Sequence, residues 1–239
     1  MRKAPLRRHL CDMDKKGVLY IGSIVSSNGR NANVPKSFVR KLVRTAQNDI
    51  WDFPNFADSN LKSLNFEPMP LEIREISVKI NEQENEQDLK LSYTGNGKPY
   101  FYDLPLHFSI SHTENRRRKD KFYLWGCAVS SLEVGLDMQW IRPVEYANIA
   151  KKYFSASEIR YVEERDLDGF FALWTRREAV GKALGLGLSM GKNEFSDTIT
   201  DGGRLLTHID LFGRSLEVHT CRMAEDLWGS CCFVMEKEK

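Results

Sequence analysis

No stretch of the sequence approaches the ~20 consecutive apolar residues that a helix needs to cross a bilayer, so no membrane partner is expected. Cysteine is scarce and poorly placed for staples: there are five, an odd number, with no CxxC pair. That argues against a disulfide framework and for scattered thiols in a reducing compartment. Cys231 and Cys232 are adjacent and belong to an expected terminal strand. The basic start, Met1 to Arg8, has no apolar run behind it, so no secretory signal is expected and the expected location is cytoplasmic. No short-period repeat is present, which sets aside solenoids and propellers. Aromatic and aliphatic residues are not depleted, and 239 residues suffice for one large domain or two small ones with real cores.

What is present is an uneven distribution of charge. Residues 1–50 hold eleven Lys or Arg against three Asp, and the run Glu82 to Asp88 is acidic. A second basic run, Arg116-Arg117-Arg118-Lys119-Asp120-Lys121, lies mid-chain. Such runs are either solvated loops or surfaces for phosphate or an acidic protein. No nucleic-acid-binding motif accompanies them, so no nucleic-acid partner is expected.

Periodicity organises the rest. Phe38, Leu42 and Val43 at helical spacing predict a helix over 36–46, and 73–80 fits a strand loosely. Thr94 to Pro99 reads as a strong turn, since glycine supplies positive φ and proline halts a sheet. Leu106, Phe108 and Ile110 alternate with polar neighbours as in a half-buried strand. Two further strands are expected over 124–129 and 134–138, turning at Ser130-Ser131. Residues 144–154 read as a helix, and Ser155 with Glu158 forms a capping box that starts another, running to about Arg165. A third helix should begin near Asp168 and stop at Gly185. From Leu205 to Met235 the pattern is short β segments. The sum is an α+β protein, with two subdomains joined near residues 100–125.

Three places can carry chemistry. In Val134 to Gln139, Val134, Leu136 and Met138 face a core while Gly135, Asp137 and Gln139 share the other face. An aspartate there costs desolvation unless a cation pairs with it, and Gly135 leaves room for a ligand. On the third helix Phe170, Leu173, Val180 and Leu184 form the apolar stripe, and Glu178 and Lys182 form an i, i+4 pair on another face. That pair is either a helix-stabilising salt bridge or, with Asp137, a site in which carboxylates hold a hard divalent cation and the ammonium takes a phosphate oxygen. Ser111-His112 closes a strand where a hydroxyl and an imidazole can meet a phosphate, or His112 is a structural residue.

In this order the segments resemble the 4′-phosphopantetheinyl transferase superfamily, specifically its surfactin-type group. The resemblance rests on Gly97-Lys98-Pro99-Tyr100, Phe108 to Thr113, Val134-Gly135-Leu136-Asp137, Phe154-Ser155 with Glu158, and the block Trp174 to Leu188. That last block is similar to the family pattern W-T-x-K-E-A-x-x-K-x-x-G-x-G-L almost residue for residue. The family fold is two similar α+β halves with the active site in the cleft between them. This implies an N-terminal half over 1–105 and a C-terminal half over 106–239 that carries the motifs.

The implied activity is Mg²⁺-dependent transfer of phosphopantetheine from coenzyme A to a serine of an acyl, polyketide or peptidyl carrier protein, releasing 3′,5′-ADP. By the same resemblance Asp137 and Glu178 would ligate Mg²⁺. Lys182 and Arg177 would bind the diphosphate, Ser111 and His112 the 3′-phosphate, and Lys98 with Pro99 would line the adenosine pocket. Glu178 is also the implied base, directly or through water, so Glu178, Lys182 and Asp137 form the implied catalytic set. Gln139 stands where many members have a second metal-binding glutamate. An amide oxygen still ligates Mg²⁺ but brings no charge. The N-terminal half does not align with the family's arginine-rich helix, and Lys36, Arg40, Lys41 and Arg44 are its stand-ins. A non-catalytic relative that binds coenzyme A or a carrier protein is the alternative reading. A chain of this two-halved length is expected to build the whole cleft as a monomer.

Overall fold

The computed structural model describes residues 17–26, 72–75, 91–102, 106–115, 121–187, 190, 193–195 and 198–235; for 17–26, 72–75, 121, 122 and 193 the description is of the backbone. The helix expected over 36–46, the loop over 82–88 and the basic run 116–120 lie outside these residues.

The described residues form an α+β fold. Its strands are β1 (Gly17–Ser26), β2 (Glu72–Glu75), β3 (Leu91–Tyr93), β4 (Pro99–Phe101), β5 (His107–Asn115), β6 (Lys121–Ser130) and β7 (Val134–Trp140). Three helices follow, α1 (Tyr146–Tyr153), α2 (Ala156–Glu163) and α3 (Asp166–Leu184), then β8 (His208–Leu211), β9 (Arg214–Ala224) and β10 (Leu227–Met235). One sheet has the order β2-β1-β6-β5 and a second the order β7-β10-β9-β8, while β3 and β4 make a separate hairpin. Strand pairing therefore places β5 and β6 with β1 and β2, and divides the two large sheets after Ser130.

Local chemistry sets the element ends. The capping box is formed: Ser155 Oγ accepts from the Glu158 amide at 3.3 Å and Glu158 Oε2 accepts from the Ser155 amide at 2.8 Å. Gly185 ends α3 at φ 68°, and the Leu186 amide reaches back to the Gly181 carbonyl at 2.9 Å. Pro99, expected to stop a sheet, is instead the first residue of β4, a position where its missing amide costs no ladder bond. The C-terminal segments are longer than short: β9 has 11 residues and β10 has 9.

α3 is buried on nearly every side rather than along one stripe. Ala179, Val180 and Ala183 pack with Leu216, Val218 and Cys232 of the second sheet. Phe170, Phe171 and Leu173 pack with Phe154 and Val162 of the α1–α2 layer. A helix buried on most of its faces belongs in a core, and each fully buried phenylalanine contributes about 1.5–3 kcal/mol. A third cluster joins Leu124 and Ala128 of β6 to Leu136 and Met138 of β7 and Cys231 and Phe233 of β10, so the two sheets share a core.

The seam between the sheets is made by side chains. β7 is an edge strand of its sheet, and its outward amides at Leu136, Met138 and Trp140 donate to Ser109 Oγ, Ser111 Oγ and Thr113 Oγ1 of β5 at 2.9, 3.0 and 3.1 Å. Three hydroxyls at alternate positions thus replace the carbonyl row of a neighbouring strand and satisfy an otherwise bare edge.

Candidate functional site

Asp137 lies on β7 facing α3, and what brings the helix to it is Gly135. A Cβ at Gly135 would run into the Ala179 carbonyl oxygen and would stand 2.5 Å from the Ala183 amide nitrogen. The room expected for a ligand at Gly135 is therefore filled by the helix backbone. The consequence is chemical, because the residues between Ala179 and Ala183, and Glu178 just before them, are carried against Asp137.

The Lys182 ammonium donates to Asp137 Oδ1 at 2.8 Å and to the Leu136 carbonyl at 2.9 Å. Ser111 donates its hydroxyl proton to the same Oδ1 at 2.9 Å while accepting from the Met138 amide. Gln139 Nε2 donates to Asp137 Oδ2 at 3.3 Å, and its Oε1 accepts from Arg142 Nη1 at 3.1 Å. Asp137 is 2% exposed, so these donors replace its water. Burial, with the Asp137 charge added, holds the Glu178 carboxyl above the usual carboxylate range, against the opposing pull of Lys182. Two carboxylates and one ammonium leave a surplus negative charge in a half-dry site.

A pocket of ≈ 230 Å³ adjoins this cluster. Its walls are the β3–β4 turn (Asn96 to Pro99), β5 (Phe108 to Ile110) and the end of α3, with Lys182 common to pocket and cluster. Gly181 permits the closeness of this corner, since a Cβ there would meet the returning backbone at Gly187. Lys98 borders the pocket with its ammonium turned to the Ala183 carbonyl, 2.5 Å away, and to Glu133 at 3.7 Å. Burial lowers its pKa, with Glu133 partly offsetting the effect. A cation on the last carbonyls of α3 also complements the helix dipole.

The sequence-expected residues thus divide into three groups. Asp137, Lys182, Ser111 and Gln139 meet directly, and Glu178 joins them through its electrostatic coupling to Asp137 and Lys182. Lys98 and Pro99 line the neighbouring pocket. His112 is exposed and follows pocket-lining Ile110 by two residues on β5, which puts it on the same strand face. Two expectations change. The Ser111 side chain is 2% exposed and committed to Asp137 and Met138, leaving no hydroxyl for a phosphate. Arg177 is 3% exposed and bound to Glu158, away from the cluster. Sequence reasoning missed Arg142, which holds Gln139, and the roles of Ser109 and Thr113; the alternation Ser109, Ser111, Thr113 was the available signal.

The donor set suits magnesium. Mg²⁺ characteristically takes one or two carboxylates and completes its shell with water and substrate phosphates. Among the described residues no group of three or more His, Cys, Asp or Glu comes together as a metal site. The Gln139 oxygen is engaged by Arg142, so Asp137 and Glu178 are the charged oxygen donors.

Residues 133–231, which contain Asp137, Glu178 and Lys182, match the family model described as the 4′-phosphopantetheinyl transferase superfamily. The match makes this segment, 99 of the chain's 239 residues, similar to that superfamily. Among its relatives is the 4′-phosphopantetheinyl transferase psf-1 of Bacillus pumilus, 35% identical over 115 residues, which are 46% of this chain and 46% of that protein. 4′-Phosphopantetheinyl transferase Sfp of Bacillus subtilis (strain 168) is 32% identical over 129 residues, 52% of this chain and 53% of its own. The gsp transferase of Aneurinibacillus migulanus is 33% identical over 103 residues, 41% and 39% of the two chains. The chain spans about half the length of the curated relatives it matches. The surfactin-type resemblance drawn from the motifs is borne out. No helix among the described residues is long and apolar enough to cross a membrane.

Proposed function

We propose that the protein transfers the phosphopantetheine arm of coenzyme A to a serine of a carrier protein, releasing 3′,5′-ADP. The observation that carries this is the meeting of Asp137, Lys182 and Glu178 inside the segment that matches the transferase family, beside a pocket that shares Lys182. At ≈ 230 Å³ the pocket falls below the ~300–1,000 Å³ of complete small-molecule sites, so it suits one part of the coenzyme, such as its nucleoside end. Lys98 and Pro99 would border that part, and His112 would stand near its phosphate.

Asp137 and Glu178 would hold Mg²⁺, which when bound neutralises charge on the diphosphate and polarises its phosphorus–oxygen bonds. Lys182 needs only a small movement of its ammonium from Asp137 Oδ1 to reach a phosphate oxygen. In the reaction the carrier serine oxygen bonds to the pantetheine-bearing phosphorus, and the bond from that phosphorus to the bridging oxygen breaks. The electron pair leaves on 3′,5′-ADP, where Lys182 stabilises it. The serine proton passes to the Glu178 carboxylate, directly or through water, a group whose proton affinity burial and Asp137 raise. Asp137 is held in place by Ser111 and Gln139.

We assign the two halves of the family's pseudo-dimer to the sheets on either side of the β5–β7 seam, with the cleft above it. The working form is a cytoplasmic monomer. The test is intact mass of apo fatty-acid, polyketide and peptide carriers after incubation with this protein, coenzyme A and Mg²⁺, with a chelator control. Metal-dependent gain of one phosphopantetheine arm is expected. Binding of coenzyme A without transfer to any carrier would refute the assignment and leave a non-catalytic relative.

A further inference from the structure

Arg177 follows the α3 stripe of Phe170, Leu173, Val180 and Leu184, within about 60° of each at 100° per residue. A cation in that position has to be neutralised inside the protein, and Glu158 does so. Arg177 Nε donates to Glu158 Oε1 at 2.9 Å and Nη2 donates to Oε2 at 2.5 Å, a fork on a carboxylate with 0% exposure. The same Oε2 closes the capping box at Ser155. The guanidinium also lies over the Phe195 ring at 4.0 Å and the Phe154 ring at 5.4 Å. One side chain therefore ties α3 to the end of α1, the start of α2 and the short 3₁₀ turn Asn193–Phe195.

The next residue along α3 is Glu178. Glu158 and Arg177 brace the helix against rotation about its own axis at the turn that carries Glu178, which is electrostatically coupled to Asp137. Side-chain tips lie about 5–6 Å from a helix axis, so a rotation of about 10° moves a carboxylate by roughly 1 Å. A misplacement of that size costs about 10²-fold in rate when it occurs at reacting groups.

We propose that the Arg177–Glu158 pair is a positioning device that sets Glu178, and that Arg177 is not a phosphate ligand. The consequence for turnover rests on the transferase reading above; the geometric claim does not. Removing one partner leaves an uncompensated buried charge and risks unfolding, so the test includes a double variant in which both are neutral, Glu158→Gln with Arg177→Met. Glu158→Gln, Arg177→Met, Arg177→Lys and the double variant are compared with the parent in three measurements. These are the side-chain carboxyl ¹³C resonance of Glu178, coenzyme A affinity without divalent metal, and kcat of transfer.

The Glu178 resonance, assigned by its loss in Glu178→Gln, should move in Glu158→Gln, Arg177→Met and the double variant. kcat should fall about 10²-fold in each, the double being no worse than the worse single, with Arg177→Lys partly restored. Metal-free coenzyme A affinity should stay within about twofold, as expected when no phosphate contact is lost. A folded double variant with an unmoved Glu178 resonance overturns the proposal. So does a loss of coenzyme A affinity in both Arg177 variants that Glu158→Gln does not share. Absence of transfer by the parent protein would sink the transferase reading alone, since the resonance still decides the positioning role.

Discussion

Replacing Gly135 by alanine adds one methyl group, and the structure says what it meets. The new Cβ would lie 2.5 Å from the Ala183 amide nitrogen and 2.9 Å from the Ala179 carbonyl carbon, with the Ala179 oxygen nearer still. Comfortable separations between such atoms begin at about 3.5 Å, so strand and helix must part by about 1 Å to clear the amide nitrogen and by more to clear the carbonyl oxygen. Neither neighbour is a flexible side chain; both are the backbone of one α3 turn. Overpacking of this kind costs about 1–3 kcal/mol, and at this chain length each kcal/mol lowers Tm by about 2–4 °C. A loss of about 2–12 °C is therefore expected. The same retreat opens the 2.8 Å contact between Lys182 and Asp137 and draws Glu178 away, for which about 10²-fold in transfer rate is the expected loss. Gly202→Ala is the control, since its Cβ would meet nothing nearer than Thr200 Oγ1 at 3.9 Å. Calorimetric unfolding and initial transfer rates on the two variants suffice. A Gly135→Ala protein with parental Tm and parental rate would mean that α3 does not seat on β7 at this glycine.

Other expectations concern the carboxylates. Burial and Asp137 raise the Glu178 pKa, so the folded state binds that proton more tightly than the unfolded chain. Stability contributed by the protonated form is present at low pH and is lost as pH rises from the ordinary carboxylate range through the raised value. With chelator present, Glu178→Gln should then be more heat-stable than the parent at pH 7 and equal to it below about pH 4, while transfer is abolished. An identical stability difference at both pH values in scanning calorimetry would contradict the charge argument. Gln139→Glu trades an amide donor to Asp137 for a third carboxylate. Magnesium affinity should rise on titration calorimetry, and metal-free Tm should fall; unchanged magnesium affinity would place residue 139 outside the metal shell.

Elements governed by local chemistry were readable from the sequence. The capping box at Ser155 and Glu158, the glycine stop at Gly185 and the strand through Asp137 need only neighbours in the chain to declare themselves. The pairing of Asp137 with Lys182 was readable as a combination of residue types but not as a distance, because it depends on how far Gly135 lets a helix approach. Arg177 shows the reverse case. The family resemblance points its side chain to phosphate, while its place among Phe170, Leu173, Val180 and Leu184 points it inward, where it is buried. Which carboxylate would receive it required tertiary packing, since Glu158 lies 19 residues earlier. Ser109, Ser111 and Thr113 look like ordinary polar positions of a half-buried strand. Only the neighbouring edge strand reveals that their hydroxyls serve as backbone acceptors.

Cys127, Cys221, Cys231 and Cys232 are all free and buried. Burial pushes the thiols of Cys127, Cys221 and Cys232 up to about 12 and raises Cys231 well above its usual value. Coenzyme A is itself a thiol, and in air it oxidises to a disulfide that captures protein thiolates by exchange. At neutral pH a group with a pKa of about 12 is ionised in only about one molecule in 10⁵, and these four are also shut away from solvent. On the proposed reading, a sulfhydryl cofactor would be handled without mixed disulfides at those positions. A cysteine introduced on an exposed face would react far faster than any of these four.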